Sequence, residues 1–467
     1  MFKCLVFAVF ALQALALWPI PSYYEHGDDI LWIDSKVQIT YNGVDQVASS
    51  SPRSSVIQTL DSFIKQYATY QHGQWAQGQN ISSNTHSIIS TAIEVTTETL
   101  FGQQFVPWKF HPRNSGFEPA SNVSRSYIQS ITLQQNQTDP NNVLKPALGG
   151  VDESYNLSVT KDGKVTISAV SSLGIAHGLK TLTQLFYKHT DGSVYTSLLP
   201  VVIRDAPKFE HRGLNLDVAR AWYPPKDILR TIDALSYNKF NRLHIHITDG
   251  QAWPLEIPSL PELATKGAYG AGMTYSPATL AHIQKYGALR GVETILEIDM
   301  PGHTSSIAYS HPELIAAFNV QPDWSTYAAE PPSGTLKLNS SEVDSFLDTL
   351  FEDLLPRVSP YSSYYHTGGD EVNAAAYMLD DTVNSNDTEI LRPLMQAFVD
   401  KNHARVRAAG LIPMVWEEML LTWNLTLGLD VVVQTWQSDA AVADSVAKGY
   451  KTLVGNYNYW VSSSIVS

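Results

Sequence analysis

From His211 onward one unit recurs: a short hydrophobic run ends in polar residues, and a stretch with helical spacing follows. The runs predict strands at 213–218, 242–248, 292–298, 364–367, 412–416, 431–435 and 451–454. The intervals predict helices at 225–237, 277–290, 342–355, 391–409 and 439–448. Parallel strands need a long crossover, which a helix supplies, so this alternation selects an α/β fold of the (β/α)8-type TIM barrel. Such a barrel carries its chemistry at the carboxyl ends of its strands. Only seven strands are legible where closure needs eight, so the barrel is expected to lack its eighth strand and to expose the first and seventh as edges.

The preceding sequence reads differently. From Trp18 to about Gly150 it is rich in Ser, Asn, Gln and Thr, with alternating pieces such as 88–96 that predict strands between long loops. Tyr155-Asn-Leu-Ser-Val and Val165-Thr-Ile-Ser-Ala flank the turn Lys161-Asp162-Gly163, which predicts a hairpin because apolar positions alternate on both sides of an Asp-Gly turn. Ile175, Leu179, Leu182 and Phe186 then recur at helical spacing. The expected division is a leader at 1–16, a small non-catalytic α/β domain at 17–204 and a catalytic barrel at 205–467.

The leader has the form of a signal peptide, with Lys3 before the apolar stretch from Cys4 to Leu15 and a small-x-small site at Ala14-Leu15-Ala16. It predicts secretion and removes the single cysteine, so no disulfide is expected. Seven sequons, at Asn80, Asn122, Asn136, Asn156, Asn339, Asn386 and Asn424, suit an exported glycoprotein. A net charge of -14 argues against nucleic acid as a partner, because phosphate contacts need Lys and Arg in excess. No apolar stretch beyond the leader has membrane-spanning length.

The residues closing the predicted strands share a chemistry. They are Arg212 and Asp217 on the first, His246 and Asp249 on the second, Asp299 and His303 after the third, and Asp370 and Glu371 after the fourth. Trp416, Glu417 and Glu418 close the fifth, and Trp436 the sixth. An Arg fork bonds hydroxyls and indole faces stack on a sugar's C–H surface, so a mouth lined this way suits a carbohydrate. In Tyr364-Tyr365-His366-Thr367-Gly368-Gly369-Asp370-Glu371 the glycine pair lets adjacent acids leave strand geometry and face one ligand. Packed together, such acids do not easily both ionise, so one is expected to keep its proton and serve as a general acid.

Four stretches make the reading specific. His211-Arg-Gly-Leu-Asn-Leu-Asp-Val-Ala-Arg220, Asn241-Arg-Leu-His-Ile-His-Ile-Thr-Asp249, Glu297-Ile-Asp-Met-Pro-Gly-His303 and His366-Thr-Gly-Gly-Asp-Glu371 resemble the successive signatures of glycoside hydrolase family 20, the β-N-acetylhexosaminidases. The helix Leu-Gly-Ile-Ala-His-Gly-Leu-Lys-Thr-Leu is similar to that family's non-catalytic domain. The resemblance implies that Glu371 protonates the glycosidic oxygen and Asp370 orients the substrate's 2-acetamido group, whose own carbonyl oxygen attacks the anomeric carbon. It further implies that Arg212 grips sugar hydroxyls, that Asp249 and His303 support the acid, and that Trp416 and Trp436 wall the acetamido pocket. Oligosaccharides bearing terminal N-acetylglucosamine or N-acetylgalactosamine are the implied substrates, with no cofactor or metal, and a homodimer is the candidate assembly.

The family pattern departs at the end of the chain. Where relatives carry Trp-Tyr-Leu-Asp, Trp460 is followed by Val461-Ser462-Ser463, so an acetamide-binding Tyr and a hydroxyl-binding Asp are expected to be missing and the chain as written to show little turnover. Two other readings remain open at this level. A truncated product or glycan-binding non-enzyme would fit that tail, and a metal-dependent barrel hydrolase would use His244 and His246, which share a strand face near Asp249.

Overall fold

The computed structural model describes residues 17–46, 85–120 and 124–455. The expectations for the leader and for the tail from Trp460 lie outside these residues, as do the sequons at Asn80 and Asn122.

The first part of the chain forms a mixed sheet in which Tyr23–Ile33, Val194–Asp205, Tyr155–Val159, Lys164–Ala169, Ser130–Gln135, Gln38–Tyr41 and Val44–Gln46 lie side by side in that order. The expected hairpin is its centre, pairing Tyr155 with Ala169 and Val159 with Val165 across a turn whose Gly163 has φ 83°. Tyr155, Leu157, Val159, Val165 and Ile167 are buried at every second position. They face helix Ser172–Thr183, which starts where the Ser171 side chain accepts the Gly174 amide. Gly178 is needed there: a Cβ would sit 2.5 Å from Ile167 Cγ2, so only glycine lets the helix lie this close to the sheet.

The stretch 88–96 is not a strand. It lies in helix Thr85–Glu98, and the buried Ile89, Ile93, Thr96 and Leu100 recur three or four residues apart. Its β-branched residues suggest a strand, but burial against helix Ser172–Thr183 decides the outcome, as tertiary packing commonly overrides weak propensity. The hydroxyls of Thr96 and Thr97 are satisfied by carbonyls one turn back, at 2.7 and 2.8 Å.

The second sheet holds seven parallel strands in chain order: Gly213–Asp217, Arg242–Thr248, Glu293–Ile298, Tyr364–His366, Ile412–Trp416, Val432–Thr435 and Lys451–Val454. Helices Pro225–Tyr237, Pro277–Ala288, Ser341–Val358, Thr388–Ala408 and Asp439–Ala447 run between them. This is the expected barrel rhythm, with bounds shifted by a few residues. The second and third strands are buried throughout, covered by helices outside and packed against barrel side chains inside. Among the described residues the first and seventh strands are the sheet's edges, and Leu214 and Val454 are exposed on them.

A polar clamp ties the two sheets together. Glu153 accepts Arg212 Nη2 at 2.6 Å and faces His177 Nε2 at 3.0 Å, while Lys239 Nζ reaches Asp205 at 2.9 Å and the Tyr155 hydroxyl at 2.8 Å. Burial alone would raise the Glu153 carboxyl, but His177 and Arg212 outweigh it and bring it down to about 2.

Candidate active site

The fourth barrel strand ends at His366, and the chain then leaves extended geometry at Gly368, φ 71°, and Gly369, φ 106°. A Cβ on Gly368 would fall 1.8 Å from Asp299 Oδ1, and one on Gly369 would fall 2.5 Å from Met419 Cγ. The bare backbone allows the Gly369 amide to donate to Asp299 Oδ1 at 2.6 Å, which fixes the turn on the third strand. Glu371 follows at φ 51°, a left-handed conformation costing on the order of 1–3 kcal/mol that the tight surroundings impose. The turn points the two acids to different tasks. Glu371 is a third exposed and borders a cleft lined by His303, Tyr327, Glu330, Asn373 and Gln251, whereas Asp370 is largely buried. Asp370 Oδ1 is buried and accepts no N–H among the described residues; the Asp299 carboxyl and, at 3.9 Å, His303 Nε2 are its neighbours.

His303, itself at φ 54°, stands between the acids and the second strand. Its Nε2 lies 3.5 Å from Glu371 Oε2 and 3.9 Å from Asp370 Oδ1, and its Nδ1 lies 3.3 Å from Asp249 Oδ1. Burial disfavours charge on this imidazole, but Asp249, Asp299 and Asp370 outweigh burial and hold it protonated well above its ordinary range. Asp249 is buried, with Oδ2 2.6 Å from His246 Nε2 and 3.0 Å from Arg220 Nη2. Burial would raise its carboxyl, yet His303 and His246 keep it far below the usual range.

Contact with His303 leads in lowering the Glu371 carboxyl, against burial. The carboxyl that is pushed well up is Asp299, by burial first and by Asp370 second. Glu418 is pushed up as well, to about 7, by burial with Asp370 adding to it.

Arg212 is not at this site. It precedes the first strand, at the amino end of the barrel, and its guanidinium is consumed by Glu153 and by the carbonyls of Lys239 and Phe209, at 2.6, 2.8 and 2.6 Å. The arginine at the mouth is Arg220, three residues beyond Asp217. It donates to Asp217 Oδ2 at 2.8 Å and to Glu330 Oε1 through Nε at 2.7 Å, and it pairs with Asp249. Arg220 was legible in the first signature stretch, since a residue after a strand, not before it, reaches the carboxyl face. Glu330 sits in the long loop after the third strand, 110 residues from Arg220, and no local pattern marks it.

The two tryptophans occupy different depths. Trp436 is half-buried on the rim, with its Nε1–H shared between the Glu418 carboxylate oxygens at 3.0 and 3.2 Å. Trp416 is buried beneath, donating to Glu297 Oε1 at 2.6 Å.

His244, Glu297 and His366, or His246, Glu297 and Asp299, cluster closely enough to raise the metal reading. In the first set His366 Nδ1 already accepts the Gly368 amide at 3.0 Å, and in the second His246 faces carboxylates through both ring nitrogens, at 2.9 and 2.6 Å.

Residues 209–461 match the model of the glycosyl hydrolase family 20 catalytic domain, and residues 17–185 match a model described as beta-acetyl hexosaminidase like. A beta-hexosaminidase of Arthroderma benhamiae is 39% identical, over 95% of this chain and 75% of that protein. Beta-hexosaminidase subunit B1 of Dictyostelium discoideum is 31% identical, over 73% of this chain and 63% of its own length. Among solved structures, the chitobiase of Flavobacterium johnsoniae superposes with a TM-score of 0.68 at 24% identity, over 95% of this chain and 59% of that one. The chain thus spans three quarters of the first relative and about three fifths of the other two.

Proposed function

This chain belongs to glycoside hydrolase family 20, and we propose that it removes terminal β-linked N-acetylhexosamine from oligosaccharides with the substrate's own acetamide as nucleophile. The observation that carries this reading is Asp370 Oδ1. A buried carboxylate oxygen that no N–H of the protein reaches suits an amide N–H, and the 2-acetamido group of a bound sugar brings one. Held there, the acetamide carbonyl is aimed at the anomeric carbon, and the charge of Asp370 favours the oxazolinium that forms when it attacks. Glu371, at the cleft, gives its proton to the departing oxygen and takes one from water in the second step. Asp249 and His303 orient Glu371, Arg220 holds sugar hydroxyls, and Trp436 covers the pocket over Trp416.

Since the His303 imidazolium lowers Glu371 in the free enzyme, the acid form is lost early as pH rises. kcat/KM should therefore peak on the acid side of neutrality. Chitooligosaccharides and glycans exported with the protein are the proposed substrates. The sequons among the described residues, Asn136, Asn156, Asn339, Asn386 and Asn424, all have exposed asparagines, which supports passage through the secretory pathway. The test is a rate comparison on the purified chain. Nitrophenyl N-acetyl-β-glucosaminide and galactosaminide should be hydrolysed faster than the β-glucoside, which has a hydroxyl at C2. Comparable rates on the glucoside would contradict the proposal.

A further inference from the structure

Beneath the site a second set of buried groups continues inward from Asp249. His246 lies between two carboxylates, its Nε2 2.6 Å from Asp249 Oδ2 and its Nδ1 2.9 Å from Glu297 Oε2. Carboxylate oxygens accept, so both ring nitrogens donate and the ring is an imidazolium. Glu297 is fully buried and serves three neighbouring strands at once. Its Oε1 accepts the Trp416 indole at 2.6 Å and lies 3.3 Å from His366 Nδ1, and its Oε2 faces His246 and, at 2.8 Å, His244 Nε2. Asp299, just past the end of the same strand, adds a further acid, and Arg220, after the first strand, meets Asp249. One unbroken path therefore runs from Trp416 through Glu297, His246, Asp249 and His303 to Glu371.

We propose that Glu297 is a positioning residue that holds His246 as an imidazolium, and that through His246 and Asp249 it sets both the placement of His303 and the proton affinity of Glu371. Without the Glu297 charge, burial favours neutral His246, and Asp249 loses a cation that offsets its field. Along that path His246 is one link closer to Glu371 than Glu297 is, so losing the pair leaves net negative potential at the acid. Glu371 then keeps its proton to higher pH. The directions fit this order: several carboxylate and imidazole contacts outweigh burial to hold Glu297 well below, and His246 well above, their ordinary ranges.

This inference rests on Glu371 being the acid, so its test has a readout separate from turnover. In nitrogen-15 spectra of histidine-labelled full chain, with His246→Gln used to assign the signals, both His246 nitrogens should stay protonated well above the ordinary imidazole range. In Glu297→Gln one of them should deprotonate at a lower pH than in the wild type. Where turnover is present, the alkaline limb of kcat/KM should move up by about half a unit to one unit in Glu297→Gln and in His246→Gln. The double variant should move it no further, because the pair acts as one unit. A His246 ring that is singly protonated in the wild type, or a limb that stays in place in a folded Glu297→Gln, overturns the inference. Full turnover by Glu371→Gln would instead remove the functional reading and leave the spectral result standing.

Discussion

Replacing Glu371 by Gln is expected to lower kcat on an N-acetylglucosamine oligosaccharide by on the order of 100- to 10,000-fold, the usual range for a general acid. The amide keeps the size and the hydrogen bonds of the carboxyl but has no proton to transfer. A nitrophenyl leaving group needs little protonation, so the loss on the chromogenic glycoside should be much smaller than on the oligosaccharide. KM should stay level or fall, since binding groups such as Arg220 and Asp370 are untouched. Steady-state kinetics on the two substrates provides the check. Equal losses on both would mean that Glu371 supports the site's shape and does not deliver the proton.

The two arginines of the first signature should separate cleanly. Arg220 satisfies Asp217, Asp249 and Glu330 through one planar fork, a geometry that lysine cannot reproduce. Arg220→Lys is expected to lower kcat/KM by roughly 10- to 100-fold with little change in melting temperature, because Asp217 and Glu330 are partly exposed to water and the buried Asp249 keeps His246 and His303. Arg212→Gln should do the opposite. It leaves Glu153 with His177 alone at the junction of the two sheets, at a cost of about 1–3 kcal/mol for a poorly compensated, largely buried carboxylate. Its kcat and KM, measured below the melting transition, should match the parent. A tenfold loss of kcat/KM in folded Arg212→Gln would return that residue to the site.

This contrast also marks what could be read from the residues alone. The barrel strands were legible because each is a hydrophobic run bounded by helix-spaced sequence, and strands buried on both faces have little other way to be written. The Gly-Gly break before Asp370 was legible for the same local reason, and the closeness of Asp299 to Gly368 shows why no other residue fits. Helix Thr85–Glu98 was misread because its β-branched residues argue locally against helix while its packing partner, Ser172–Thr183, is distant in sequence. Strand direction puts Arg220, which follows the first strand, at the carboxyl face and leaves Arg212 at the amino end. The influence of His303 and Asp299 on the acid pair was not legible, because both reach it through space from another strand's end.

The substrate's part in the chemistry can be measured directly. In a series of nitrophenyl β-glucosaminides bearing acetyl, monofluoroacetyl, difluoroacetyl and trifluoroacetyl groups on nitrogen, each fluorine withdraws electrons from the carbonyl oxygen with little change in size. If that oxygen attacks the anomeric carbon while Asp370 holds the amide, log kcat/KM should fall steeply and steadily along the series. A flat series would contradict the mechanism and assign the attack to an enzyme carboxylate or to water.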